Sequence, residues 1–151
     1  METLSFTTAA ILLLGFSCIS AEFSGKAMDN AKKVDSTCRA QVGGAEKGYI
    51  TKFLRGDVDA DDLPRYKCYV KCVMVELDSL SHDGVYNVDA EKENVPPEIL
   101  DEGHRILHKC KDTKGADPCD TAYQIHKCYH DENPELYRRV LHHWDAIAMT
   151  D

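Results

Sequence analysis

Six cysteines at positions 38, 68, 72, 110, 119 and 128 are separated by 29, 3, 37, 8 and 8 residues, and no other feature constrains the fold of this chain as strongly. Their meaning depends on compartment, because cytosolic thiols suggest metal or redox chemistry whereas secreted ones are covalent staples. The N-terminus supplies the compartment. Residues 9–16 form an apolar run, followed by the small residues Ser17, Cys18, Ser20 and Ala21. This is the pattern of a secretory signal, too short to span a bilayer, although its first residues carry Glu2 and no Lys or Arg. Small residues at Cys18 and Ser20 favour cleavage after Ser20, with Ala21 the competing site. Either cut removes Cys18, so seven cysteines become six, an even set that can close on itself.

Residues 21–151 then have the length of one domain. The formal charge is −8, to which the leader contributes only Glu2, so the remaining chain is acidic throughout. That balance argues against nucleic acid and against an anionic membrane surface as partners. No second apolar run is long enough to span a membrane, and no Asn-x-Ser/Thr sequon occurs.

Apolar residues recur at helical spacing, with turn formers between the periodic stretches, so the chain reads as all-α with about six helices. The first is expected over Ser24 to Arg39, and the second over Lys47 to Leu54. Leu63-Pro64 opens a third, after the acidic loop Asp57 to Asp62, and it is expected to run to about Leu80. Residues 85–95 read as polar and irregular. Pro96-Pro97-Glu98 starts a fourth helix reaching Cys110, Pro118 a fifth through Tyr129, and Glu135 a sixth to about Ala148.

Helical geometry restricts the cysteines. Cys68 and Cys72 lie one turn apart on one face, farther than a relaxed disulfide accepts. Cys119 and Cys128 on one helix would be about 13 Å apart. Each excluded pair occurs in three of the fifteen connectivities and both together in one, so ten survive. Each cysteine of the third helix must then reach another segment, and three staples, each contributing roughly 3–4 kcal/mol, make an internal cavity tolerable.

The spacing as a whole resembles the insect odorant-binding protein family, in its six-cysteine pheromone-binding and general odorant-binding branch. Cys68-x3-Cys72 and Cys119-x8-Cys128 carry the resemblance, together with Gly56-Asp57, Asp83-Gly84 and Asp117-Pro118-Cys119, and it extends over residues 24–148. It implies disulfides Cys38–Cys72, Cys68–Cys119 and Cys110–Cys128, and a compact bundle of about six helices around an apolar pocket. It also implies a secreted carrier that takes small hydrophobic molecules, odorants or pheromones among them, through aqueous lymph to receptors. The partners so implied are a small apolar ligand and, at release, a chemosensory receptor or a membrane, with the carrier a monomer or a homodimer. Carriage of lipophiles in haemolymph, saliva or reproductive fluid, without an olfactory role, is the alternative within the same fold.

Inner helix faces must line such a pocket. The candidates are Tyr69, Val70, Val73, Met74 and Leu77 of the third helix, and Ile99, Leu100, Ile106 and Leu107 of the fourth. Tyr123 of the fifth and Leu141 and Trp144 of the sixth complete the set. Core and cavity wall share one composition, so periodicity alone does not separate them. Met74 and the aromatics suit varied apolar guests, and the hydroxyls of Tyr69 and Tyr123 are the first choices for bonding a ligand carbonyl or alcohol.

Seven histidines include the helical pairs His104/His108 and His126/His130 and the adjacent His142-His143, but neither pair carries the Glu of His-Glu-x-x-His. They read as exposed polar-face residues, with a pH switch as the second reading. Asp57 to Asp62 begins like a calcium loop but places Asp62 where Gly belongs and Cys68 where Glu belongs, so no metal or other cofactor is expected. Cys128-Tyr129-His130-Asp131 is superficially similar to a secreted phospholipase A2. The paired cysteines and glycine-rich calcium loop of that hydrolase are absent, no Gly-x-Ser-x-Gly occurs, and no mature cysteine is left as a nucleophile, so no enzyme is expected.

Overall fold

The computed structural model describes residues 23–150; the expected leader, residues 1–20, lies outside them. Seven α-helices follow one another: α1 Lys26–Gln41, α2 Tyr49–Leu54, α3 Leu63–Glu76, α4 Val88–Asn94, α5 Leu100–Cys110, α6 Pro118–Glu132 and α7 Pro134–Ala148. A 3-10 turn, Pro97–Ile99, leads into α5. Among the described residues there are no strands, and no helix is long and apolar enough to cross a membrane.

Capping chemistry sets several of these boundaries. Pro118 and Pro134 each occupy the first turn of their helices, where no donor is missed. The Asp117 side chain accepts from the Asp120 N–H at 2.8 Å, and the Asn133 side chain accepts from the Leu136 N–H at 3.1 Å. The central helix α3 is buried through Tyr66, Tyr69, Val70, Cys72, Val73 and Met74, and packs mainly on α6 and α1. α7 closes the other side against α1, α6 and α2.

Two features depart from the sequence expectation. α3 stops at Glu76 rather than near Leu80, because Asp78 adopts a left-handed φ of 62° and the Ser79 and Leu80 N–H groups both return to the Met74 carbonyl. Asp tolerates this conformation better than most residues. Residues 88–94, read as irregular, form α4. Its sequence holds few apolar residues, so periodicity is silent, yet Asn87 caps it by accepting from Ala90 N–H, and Asp89 and Glu91 suit its first turn.

The disulfides join Cys38 to Cys72, Cys68 to Cys119 and Cys110 to Cys128, with Cα separations of 5.5, 4.6 and 5.9 Å. They link α1 to α3, α3 to α6 and α5 to α6. No crosslink falls between Cys72 and Cys110, where α3 ends, α4 forms and α5 begins.

Candidate ligand cavity

A cavity of about 160 Å³ lies between α3, α5, α6 and α7, with residues of α1 and α4 also in its lining. α3 presents Tyr69, Val70, Val73 and Met74, with Leu77 just beyond its end. α5 adds Ile106 and Leu107, the turn before it Ile99, and α7 adds Leu141 and Trp144. Ten of the twelve expected residues thus meet around one space. Leu100 and Tyr123 do not. Leu100 starts α5, one position past Ile99, and turns 42 % exposed into an outer surface groove beside Glu98 and Arg139. Tyr123 faces outward on α6, edge-on to Phe53 at 5.9 Å, with Lys67 Nζ 4.9 Å from its ring centre.

Tyr69 reaches the cavity with its ring, but its hydroxyl donates to Asp35 Oδ1 of α1 at 2.8 Å. Burial and the Asp35 charge push that phenol well above its ordinary pKa, so it stays neutral. Asp35 also accepts from Arg39 Nε at 2.7 Å, which leaves this buried carboxylate paired on both oxygens.

The polar part of the wall escaped the sequence reading. His126, expected on an exposed face, is partly buried in the cavity wall, with Nδ1 3.0 Å from the Tyr137 hydroxyl. Burial depresses its pKa to about 4, so it is neutral near pH 7. His126, Tyr137 and Tyr66 also line an outer groove with Phe53, His130 and Arg138, and so form the partition between groove and cavity. At the α4 end, Ser79, Glu91 and Asn94 enter the wall. Finding these last three required knowing that α4 exists; for His126, its i−1 and i+3 neighbours Ile125 and Tyr129, both buried, were the available signal.

Backbone closeness matters at one position. A methyl group on Gly103 of α5 would stand 2.4 Å from Val95 Cγ1, so the absent side chain lets the segment after α4 lie against α5.

The helical bundle is shared by a known group of proteins. The model of the PBP/GOBP family matches residues 20–132. The chain belongs to that family. Odorant-binding proteins of this family are carriers, not enzymes, and are secreted. Among solved structures, the odorant-binding protein lmigOBP1 of Locusta migratoria superposes with a TM-score of 0.78 at 45 % identity, over 85 % of this chain and 98 % of that one. The fatty acid binding protein OBP56a from the oral disk of the blowfly Phormia regina gives 0.58 at 30 % identity, over 76 % and 97 %. General odorant-binding protein 69a of Drosophila melanogaster is 28 % identical over 108 residues, 72 % of each chain. Apart from His126, the Trp144 indole and the tyrosine hydroxyls, the polar groups of the wall are gathered at its α4 end.

Proposed function

We propose that this protein is a secreted carrier that encloses a small hydrophobic ligand, an odorant or pheromone among the candidates, and releases it unchanged at a receptor or membrane. The observation that carries the reading is the predominantly apolar cavity in a frame that disulfides hold without needing that volume filled. Its size is close to that of engineered apolar cavities that take a benzene-sized guest, so a single-ring or short-chain molecule suits it as it stands. Burying about 250 Å² of apolar surface yields about 6 kcal/mol before ordering costs, consistent with micromolar affinity. The wall residues Tyr69, Val70, Val73, Met74, Leu77, Ile99, Ile106, Leu107, Leu141 and Trp144 are proposed as ligand contacts.

Trp144, the chain's lone tryptophan, is 4 % exposed and sits in that wall, so its fluorescence reports occupancy. Titration with ethylbenzene is expected to change it with a saturable micromolar midpoint. Emission that ignores ethylbenzene and every other apolar probe of that size would overturn the reading.

Secretion belongs to the same proposal, with residues 1–20 removed and 21–151 exported; sequencing the N-terminus of the exported protein should return Ala21. The related blowfly protein, named for fatty acid binding and taken from an oral disk, favours a second reading, lipophile carriage in a fluid other than sensillum lymph. Transcript levels in antenna, gut, salivary and reproductive tissue separate the two. A monomer and a homodimer both accommodate either reading, and sedimentation at working concentration distinguishes them.

A further inference from the structure

The α4 end of the cavity gathers oxygen acceptors. Asn94 is 6 % exposed, lines the cavity, and its Oδ1 has no hydrogen-bond partner. Its Nδ2 donates to the Leu77 carbonyl at 2.9 Å, to Ser79 Oγ at 3.0 Å and to Glu91 Oε2 at 3.3 Å. The Ser79 hydroxyl in turn donates to Glu91 Oε2. The side-chain donors of this cluster are therefore spent internally. Two acceptors remain, Asn94 Oδ1 and Glu91 Oε1, the latter on a carboxyl group that makes no salt bridge among the described residues.

The orphaned carbonyl oxygen of Asn94 is costly, and so, to a lesser degree, is the partly buried Glu91 carboxyl group, which has no counter-ion beside the apolar wall. Burial accordingly raises the Glu91 pKa, the Ser79 and Asn94 hydrogen bonds opposing it, and the Glu91 charge adds to burial in raising the phenols of Tyr86 and Tyr129. Those two hydroxyls bond each other, and Tyr129 is part of the cavity wall. Trp144 Nε1, another buried polar atom of the wall, is a donor carried by α7 that lies beside the Tyr69 hydroxyl and is not part of this cluster.

We propose that this end of the cavity receives a cationic head group, and that the preferred ligand is a small primary amine whose apolar body fills the remaining space. The inference rests on the carrier reading above. A primary ammonium offers three N–H donors and a charge, and so can serve Asn94 Oδ1 and the Glu91 carboxylate together. An alcohol has one donor and no charge. An aldehyde or ester brings only acceptors, which the cluster already has in excess. The ammonium loses hydration on burial, and Glu91, which has no counter-ion among the described residues, offsets that loss because the incoming positive charge favours its ionised form.

The test uses four probes sharing one ring: 2-phenylethylamine, 2-phenylethanol, phenylacetaldehyde and ethylbenzene, titrated against the full mature protein by calorimetry at pH 7. The amine is expected to bind at least about tenfold tighter than the other three, the range of a charge-assisted hydrogen bond. Glu91→Gln, similar in shape, is expected to bring the amine down to the level of the alcohol, with a cooperative urea unfolding transition showing that the variant is folded. An amine no tighter than the alcohol on the unaltered protein overturns the inference whether or not the variant folds. So does an amine preference that survives Glu91→Gln. Ethylbenzene binding with no amine advantage removes only the head-group assignment, whereas failure of all four probes removes the carrier reading and this inference with it.

Discussion

The hydroxyl of Tyr69 on α3 donates to Oδ1 of Asp35 on α1 at 2.8 Å, inside the protein and away from the cavity. This bond joins the two helices that Cys38–Cys72 also staples. Tyr69→Phe keeps the ring in the cavity wall and removes the donor, leaving a buried carboxylate oxygen without its partner. A loss of about 2 kcal/mol is expected in urea unfolding, with ethylbenzene affinity changed less than threefold. A large affinity loss without destabilisation would mean that the hydroxyl serves the ligand instead.

The depressed pKa of His126 makes stability depend on acidity. The imidazole is neutral in the fold down to about pH 4, whereas in the unfolded chain it takes up a proton below about 6.5. The unfolded state therefore binds more protons between these values. The contribution of His126 is complete above about pH 6.5 and drains away as pH falls towards 4. Because the ring keeps some exposure, a loss of about 2 kcal/mol is expected rather than the full value of the shift. His126→Gln should flatten this part of the profile, measured as urea midpoints at half-unit steps of pH. Equal slopes in both proteins would remove His126 as the cause.

Gly103 and Val95 are coupled by their closeness. Gly103→Ala alone inserts a methyl group 2.4 Å from Val95 Cγ1 and is expected to cost about 1–3 kcal/mol. With Val95→Ala also present, the space reopens, and the double variant should be more stable than the sum of the two single losses. Strict additivity in thermal melts would contradict the contact.

Met74 is almost fully buried and faces the cavity. Met74→Ala should cost about 2–5 kcal/mol and enlarge the void. Naphthalene should then gain affinity relative to ethylbenzene, as read by Trp144 emission. An unchanged ratio would place the Met74 side chain outside the ligand's reach.

Much of this architecture was legible because the relevant signals are periodic. The stripe on α3 and the cysteines on it mark a central helix, and ten wall residues follow from its apolar face and those of α5 and α7. Helical geometry left ten cysteine pairings, and only the family resemblance chose among them. Leu100 illustrates the limit: adjacent to Ile99 and equally apolar, it faces the other way because the 3-10 turn gives way to α5 between them. The polar end of the cavity was invisible for a different reason. Glu91 and Asn94 sit on a seven-residue helix set by an Asn cap rather than by hydrophobic spacing, and Glu91 resembles any surface carboxylate until Ser79 and Asn94 are brought beside it.

The stretch from Cys72 to Cys110 contributes the α4 end of the cavity and part of its α5 wall but has no covalent tie within it. Its hold on the rest is packing and hydrogen bonds alone. Local separation there requires no crosslinked loop to move as a unit, and the same holds for α7, which follows the last cysteine and supplies Leu141 and Trp144 to the wall. The disulfides thus sew one side of the wall and leave two stretches of it, residues 73–109 and α7, to be held shut by noncovalent contacts.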